Sequence, residues 1–478
     1  MNAFDIFRKT LVGQGLSSRL RAGMIGKGVS IPGPFGPKPL IYADYVASGR
    51  ALTQVENLIN NHVLPFYANT HTEASFCGAY STRLREAARV EIADLVGAET
   101  SHSVIFAGSG ATAGINRLVA LLDLPSLIHR GGRAVVLVGP YEHHSNILPW
   151  RESGAKVIEI SESSSGGPDL LALEETLRAE SEAAIVVGAF SAMSNVTGIV
   201  TDTDAVTACL KRYGALAIWD FAGGAPYMKM EMGRGRSAKD AIVFSTHKFP
   251  GGPGASGILV LRNEIVQRNR PTQAGGGTVQ FVSPWGHHYL DNLVQREEAG
   301  TPNILGDIRA ALVMMVKAAL GQQWFDKRHT ELRAQALGAW KNVRGLHLLG
   351  DQGLALAPIF SFQIRDEHDN LVHHQFVTRL LSDLHGIQAR GGCACAGPYA
   401  HRLLQVGKAT SNDLLRNILA GDEAQKPGWV RLNLSALHSE EEIRKIIKAV
   451  ANLAKDAKIY AQDYDMEARN ARFHSMRR

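Results

Sequence analysis

The chain has 478 residues, room for two or three structural units at roughly 100–200 residues each. Hydrophobic residues make up 45% and charged residues 20%, which excludes long disorder, and the formal net charge is +6. That excess sits at the ends, with six bases against Asp5 alone in residues 1 to 40, a net +5, four arginines against Glu467 in residues 466 to 478, a net +3, and −2 between; with no nucleic-acid motif present, the basicity does not argue for a nucleic-acid partner.

Residues 1 to 40 read as a basic arm, either a docked strap or an organelle-targeting segment. No signal-peptide core follows Met1, and no uninterrupted apolar run approaches the roughly 18 residues of a membrane helix. Cys77, Cys209, Cys393 and Cys395 are too few and too irregular for a disulfide framework, so a soluble, cytoplasmic protein is the base expectation. The prolines in SIPGPFGPKP, 30–39, forbid regular helix, and the segment leads into a strand LIYADY.

Helices are predicted over 51–63 and over 81–96, where Leu84, Ala88, Ile92, Leu95 and Val96 recur at helical spacing. Then seven apolar β-runs, SVIFAG, AVVLVGP, AKVIEI, AAIVVGAF, ALAIWDF, AIVFSTH and GILVLR, alternate with helical segments such as 110–122, 170–179 and 203–213. Continuous apolar strands separated by helices predict a seven-stranded, mostly parallel sheet covered on both faces, an α/β domain over 41–300. After residue 301 come helices over 304–320, 324–343 and 373–385, and strands PIFSFQI and GWVRLNL. A closing helix begins with a Ser439 and Glu442 capping box and carries a stripe of Ile443, Ile446, Ile447, Val450, Leu453 and Ala454. These predict a smaller α+β domain over 301–478.

Five signals sit at strand ends, where open α/β sheets bind ligands. FAGSGAT, 106–112, offers N–H groups and a hydroxyl at a helix start, an anion cradle or merely a tight turn. YEHHSN, 141–146, offers an imidazole for stacking or proton transfer, or plain loop polarity. SAMSNVTG presents Asn195. Asp220 ends an apolar strand, where a carboxylate needs a cation or donor such as a protonated pyridine nitrogen, or else caps a turn. In STHKFPGGPGASG, 245–257, Lys248 precedes a Gly/Pro-rich turn and suits Schiff-base chemistry, with Ser245 and His247 beside it for a phosphate. A phosphate cradle, a ring-stacking His, a carboxylate for a ring nitrogen and an imine-forming lysine are together what pyridoxal 5′-phosphate asks for.

With YADYVASG and REEAGTPN added, 42–49 and 296–303, the chain resembles the class V aminotransferases of fold type I, in the branch of cysteine desulfurases and selenocysteine lyases, over most of its length. The resemblance implies a pyridoxal 5′-phosphate enzyme in which Lys248 forms the Schiff base, His143 stacks on the ring, Asp220 pairs with the pyridine nitrogen and Asn195 lies near the ring hydroxyl. It places the phosphate against Ala111, Thr112, Ser245 and His247, with GGGT and its Thr278 near the phosphate of a second subunit, implying a homodimer. Desulfurases usually carry Gln three residues after the aspartate; this chain has Gly223. Cys395 aligns with the persulfide-forming cysteine, Cys393 falls where a histidine is common, and Arg431 matches the arginine that binds the substrate carboxylate.

The implied reaction turns L-cysteine into L-alanine with a persulfide on Cys395, and a sulfur-acceptor protein is a possible partner. The alternative is transamination, or another lyase or epimerase reaction on a small amino acid, without a persulfide. Read as residues alone, the C-x-C pair is also open to a metal site, a disulfide or a sulfur relay.

Overall fold

The computed structural model describes residues 3–467 and 469–477; Met1, Asn2, Ala468 and Arg478, the last counted among the C-terminal bases, lie outside them. Its contacts divide the chain into two interleaved units. One comprises Met1–Ile25, Ser48–Met193 and Thr201–Gln322, the other Gly26–Ala47, Ser194–Val200 and Gln323–Arg478. This differs from the sequence expectation at four places. The arm splits near residue 25, residues 41–47 and Ser194–Val200 are counted with the second unit, and the main boundary falls after Gln322 because the helix Ile304–Leu320 packs on the helix Phe76–Leu95 of the first unit.

In the first unit the seven expected runs form one sheet: β1 His102–Gly108, β2 Ala134–Val138, β3 Lys156–Glu159, β4 Ile185–Ser191, β5 Leu216–Asp220, β6 Ala241–Ser245 and β7 Gly257–Arg262. The order is β1-β7-β6-β5-β4-β2-β3, and only β7 runs against the others. All five residues of β2 and of β6 are buried, as expected where helices cover both faces. The arm's α1, Ala3–Leu11, buries Phe4, Phe7 and Leu11. α2, Phe76–Leu95, and α3, Gly110–Leu121, follow, and Ile115 and Leu118 of α3 lie in one core with Val136, Val187 and Val243 of the sheet. Among the described residues Gly110–His129 is long and apolar enough to cross a membrane by composition, yet it is two helices broken at Asp123 (φ 49°), and α3 covers the sheet. α4 is Ile304–Leu320.

The second unit has a four-strand antiparallel path, β8 Leu346–Leu348, β9 Ile359–Arg365, β10 Arg390–Gly392 and β11 Trp429–Asn433, in the order β8-β9-β11-β10. Against it pack α5, His374–His385, and the closing helix, which follows the exposed α6, Lys408–Leu419, and is α7, Glu440–Asp456. Both bonds of the Ser439–Glu442 capping box form, and every residue of the expected stripe is buried.

Candidate active site

Because six strands share one direction, β1, β2, β4, β5 and β6 end on one edge of the sheet, and that edge collects most of the singled-out residues of the first unit. β1 runs into Ser109 and Gly110, and Gly110 takes a left-handed φ of 67° that leads into α3. A Cβ on Gly110 would lie 3.0 Å from both Ser245 Oγ and His247 Cε1, so a side chain there would fill the hollow that these residues border. Ala111 N donates to Ser245 Oγ at 2.9 Å, and the Thr112 and Ser145 hydroxyls are bonded at 2.7 Å. A helix N-terminus with hydroxyls and an imidazole around it suits an anion.

After β2, His143 Nδ1 accepts from Ser145 N at 3.1 Å, which leaves the ring proton to Nε2 and fixes the ring's attitude. Asp220 ends β5 fully buried, with Oδ1 accepting from Ala222 N at 2.7 Å. Burial pushes its carboxyl up, and the Ala222 N–H and the charge of Lys248 oppose the rise. Lys248 closes the turn Thr246–Lys248 after β6. Gly49 N donates to His247 O at 2.8 Å, and a Cβ on Gly49 would meet Phe249 O at 1.8 Å, so this close approach admits only glycine. Burial, with the Lys248 charge, lowers the His247 pKa and favours the neutral imidazole.

The structure thus gathers Ala111, Thr112, His143, Asp220, Ser245, His247 and Lys248 along one sheet edge. Thr278 is not joined to them by these bonds: its hydroxyl donates to Gly275 O at 2.7 Å, and the neighbouring Gly277 packs against His71.

Sequence reasoning passed over Glu142. Its Oε1 accepts from Gly139 N and Ser191 N at 3.1 and 2.8 Å, and its Oε2 from Asn146 Nδ2 and Ser191 Oγ at 2.6 Å each. It ties the ends of β2 and β4 together and orients the His143 turn. A carboxylate in the turn after an all-apolar strand was the available signal, since such a group must be met by donors. Burial pushes Glu142 up to about 7 against the pull of Ser191 and Asn146, with the Asp220 charge adding to the rise. A carboxyl raised above its unfolded value of 4.5 holds its proton longer in the native state, so native stability falls as pH climbs from about 4.5 to about 7. Glu142→Gln should remove that share of the slope, at most about 1.4 kcal/mol per pH unit for one proton. Urea midpoints across this pH range check it; an unchanged slope would contradict the assignment.

In the second unit Arg431 on β11 is buried, with Nη2 to Asp44 Oδ1 at 3.0 Å and Nη1 to Asn195 O at 3.1 Å. Arg390, its register partner on β10, donates Nε to Asp44 Oδ2 at 2.9 Å, so one carboxylate orients both guanidinium groups. Asp44 stood in the YADYVASG segment without an assigned role. Beyond β10 lies the turn Cys393–Ala396, closed by Ala396 N to Cys393 O at 3.2 Å. Its central residues Ala394 and Cys395 have φ of 53° and 55°, the pattern of a type I′ turn. Each costs about 1–2 kcal/mol without glycine. Asn195 Nδ2 donates to Ala394 O at 2.9 Å and holds the turn, while Asn195 Oδ1 is buried without a partner. Cys395 is exposed and Cys393 half-buried. Asn195, Arg431 and the cysteine turn are therefore one connected group.

The family model described as aminotransferase class-V matches residues 41–446. A probable cysteine desulfurase of Vibrio cholerae is 29% identical over 416 residues, covering 86% of this chain and 93% of that protein. One of Halalkalibacterium halodurans is 28% identical over 364 residues, covering 75% and 85%. Among solved structures, the apo cysteine desulfurase of Thermococcus onnurineus superposes with a TM-score of 0.72 at 24% identity, covering 87% of this chain and 94% of that one. These relatives share the α/β architecture of fold type I.

Proposed function

The chain belongs to the class-V aminotransferase family, and from that premise we propose that it is a pyridoxal 5′-phosphate enzyme that moves the sulfur of L-cysteine onto Cys395 and releases L-alanine. The observation that carries the reading is the exposed Cys395 on a turn pinned by Asn195, in one bonded group with the buried Arg431. The matched relatives named as cysteine desulfurases support the same substrate class.

The first unit's residues fit the cofactor. The Gly110 hollow, bordered by Ser245 and His247 with Ala111 and Thr112 at the helix start, would hold the phosphate, and the buried Asp220 carboxylate would meet a protonated ring nitrogen. His143, its ring oriented by Ser145, would lie on the ring face, and Lys248 would hold the cofactor covalently. When bound, pyridoxal 5′-phosphate supplies an electron sink for charge that develops on the substrate α-carbon. Asn195 Oδ1, buried and without a partner, is an acceptor of the kind a ring hydroxyl would satisfy.

Arg431, aimed by Asp44, binds the substrate α-carboxylate through its planar fork. Lys248 Nζ takes the α-proton. Cys395 Sγ attacks the substrate sulfur; the S–S bond forms as the Cβ–S bond breaks, and the electron pair stays with the three-carbon fragment that leaves as alanine. Thr278, bonded within its own loop, serves a second copy of the chain in this reading, and the sulfur on Cys395 passes to a thiol or an acceptor protein.

Purified protein given L-cysteine and a thiol should form alanine and sulfide, and Cys395→Ala should lose both. Pyruvate or another keto acid made equally well by Cys395→Ala would overturn the reading.

A further inference from the structure

The sequence places a second thiol two residues before Cys395, and the mechanism above makes no use of it. Along a strand, Cα atoms two residues apart are about 6.6 Å apart. At Ala394, with φ 53°, the chain instead turns as the mirror image of a helix. A radius near 2.3 Å and a rise of 1.5 Å per residue then bring the Cα atoms of Cys393 and Cys395 to about 5.4 Å, close to the usual span of a disulfide. Neither Ala nor Cys favours this backbone, so it is imposed by its surroundings. Ala396 N bonds Cys393 O at 3.2 Å, and Asn195 Nδ2, reaching from a distant part of the sequence, bonds Ala394 O at 2.9 Å. The exposed Cys395 and half-buried Cys393 are thus held on a short turn whose hydrogen bonds shorten their separation.

We propose that Cys393 is a resolving thiol for the sulfur carried on Cys395, an inference that rests on the desulfurase reading. The Cys393 thiol gives its proton to the outer sulfur of the persulfide, and its Sγ attacks Cys395 Sγ. The bond between the two cysteine sulfurs forms, the bond from Cys395 Sγ to the outer sulfur breaks, and that sulfur leaves with the electron pair as hydrosulfide. The outer sulfur is reduced and the two cysteines are oxidised to a disulfide. Two equivalents of a low-molecular-weight thiol then reopen it by exchange and are themselves oxidised. Attack on the outer sulfur would put that sulfur between Cys393 Sγ and Cys395 Sγ, whereas backbone positions at a disulfide's span favour direct contact of the two cysteine sulfurs. A C-x-C bridge closes a small, strained ring and is therefore easily reduced, which suits a bond remade each cycle. Without an acceptor protein, the product of this site is free sulfide.

Holoenzyme is mixed with one equivalent of L-cysteine per Cys395, so that no excess thiol remains to reopen the bond, quenched with an alkylating agent, and its tryptic peptide 391–402 is weighed without reduction. In wild type the peptide should lose two hydrogens, with sulfide released. In Cys393→Ser and in Cys393→Ala it should gain one sulfur atom on Cys395, and first-turnover sulfide release should be lost. Alanine is measured in the same samples. If alanine forms and the wild-type peptide keeps the added sulfur as the variants do, the resolving role is overturned while the desulfurase reading stands. If no alanine forms, that reading falls, and a parallel sample loaded with inorganic polysulfide decides the role of Cys393: a disulfide in wild type against a persulfide in both variants supports it, and a persulfide in all three overturns it.

Discussion

Lys248→Ala should leave purification without a borohydride-reducible link to the cofactor and should turn over L-cysteine about 10²–10⁴-fold more slowly, the usual worth of a positioned acid–base group. The geometry sets this expectation. Lys248 ends a single turn after the fully buried β6, and that turn is clamped from outside by the Gly49 N–H on His247 O. The buried Asp220 feels the Lys248 charge, and burial keeps His247 beside it toward the neutral form. A lysine so placed is ordered before substrate arrives, and alanine keeps the turn's backbone while removing the side chain beyond Cβ, the amine with it. Added methylamine should therefore restore part of the rate, which it would not do for a protein that had lost its fold. Full turnover and an intact reducible link in Lys248→Ala would remove Lys248 from both roles.

Much of this was legible in the sequence, for identifiable reasons. Six of the seven strands are mostly buried and read as apolar runs, while the edge strand β3 buries no residue, and the ligand-edge residues follow directly from where the buried runs stop. The closing helix announced itself because its cap and stripe are local properties of contiguous residues. What escaped depends on partners distant in sequence. Nothing in Ala394-Cys395 signals a left-handed turn, since the hydrogen bond that holds it comes from Asn195, 199 residues away. Asp44 orients Arg431 across 387 positions and Arg390 across 346. The connection between the cysteine turn and β11 folds as the helices Gly397–Leu403 and α6, and α6 buries no residue, so no apolar stripe marked it. The arm is the opposite case. Phe4, Phe7 and Leu11 recur at helical spacing and are buried, so the docked strap expected from the sequence begins as a helix, an element that the charge count of residues 1 to 40 does not reveal.

Glu298→Ala should destabilise the protein by about 3–5 kcal/mol, the cost of stripping one partner from a buried ion network. Glu298 accepts from Arg85 Nη2 at 2.6 Å, from Arg89 Nη1 and Nη2 at 2.9 Å each, and from Phe106 N at 2.8 Å. Both guanidinium groups lie over the Phe106 ring, 5.0 and 4.7 Å from its centre, and Arg85 also holds Asp307 Oδ2 at 2.6 Å. Burial pushes the Glu298 carboxyl up, but the charges of Arg89 and Arg85 and the Phe106 N–H outweigh it and hold it below the usual carboxylate range. Alanine would leave two buried cations short of a counter-charge and one strand N–H without its acceptor. Since the native carboxyl titrates below its unfolded value of 4.5, the lost stability is present above that value and fades as pH falls through the native one. Wild type and variant should therefore differ most near neutral pH and converge in acid, which urea unfolding at several pH values measures. A gap below about 1 kcal/mol at neutral pH, the size of an exposed pair, would show that the network is not the buried one described. The consequence reaches the site. Arg89 also bonds Val104 O at 2.6 Å, so Glu298 and Arg89 fix β1, the strand that delivers Gly110 and Ala111 to the phosphate hollow. Weaker cofactor retention should accompany the loss of stability, because a strand freed to shift moves the helix start that binds the anion.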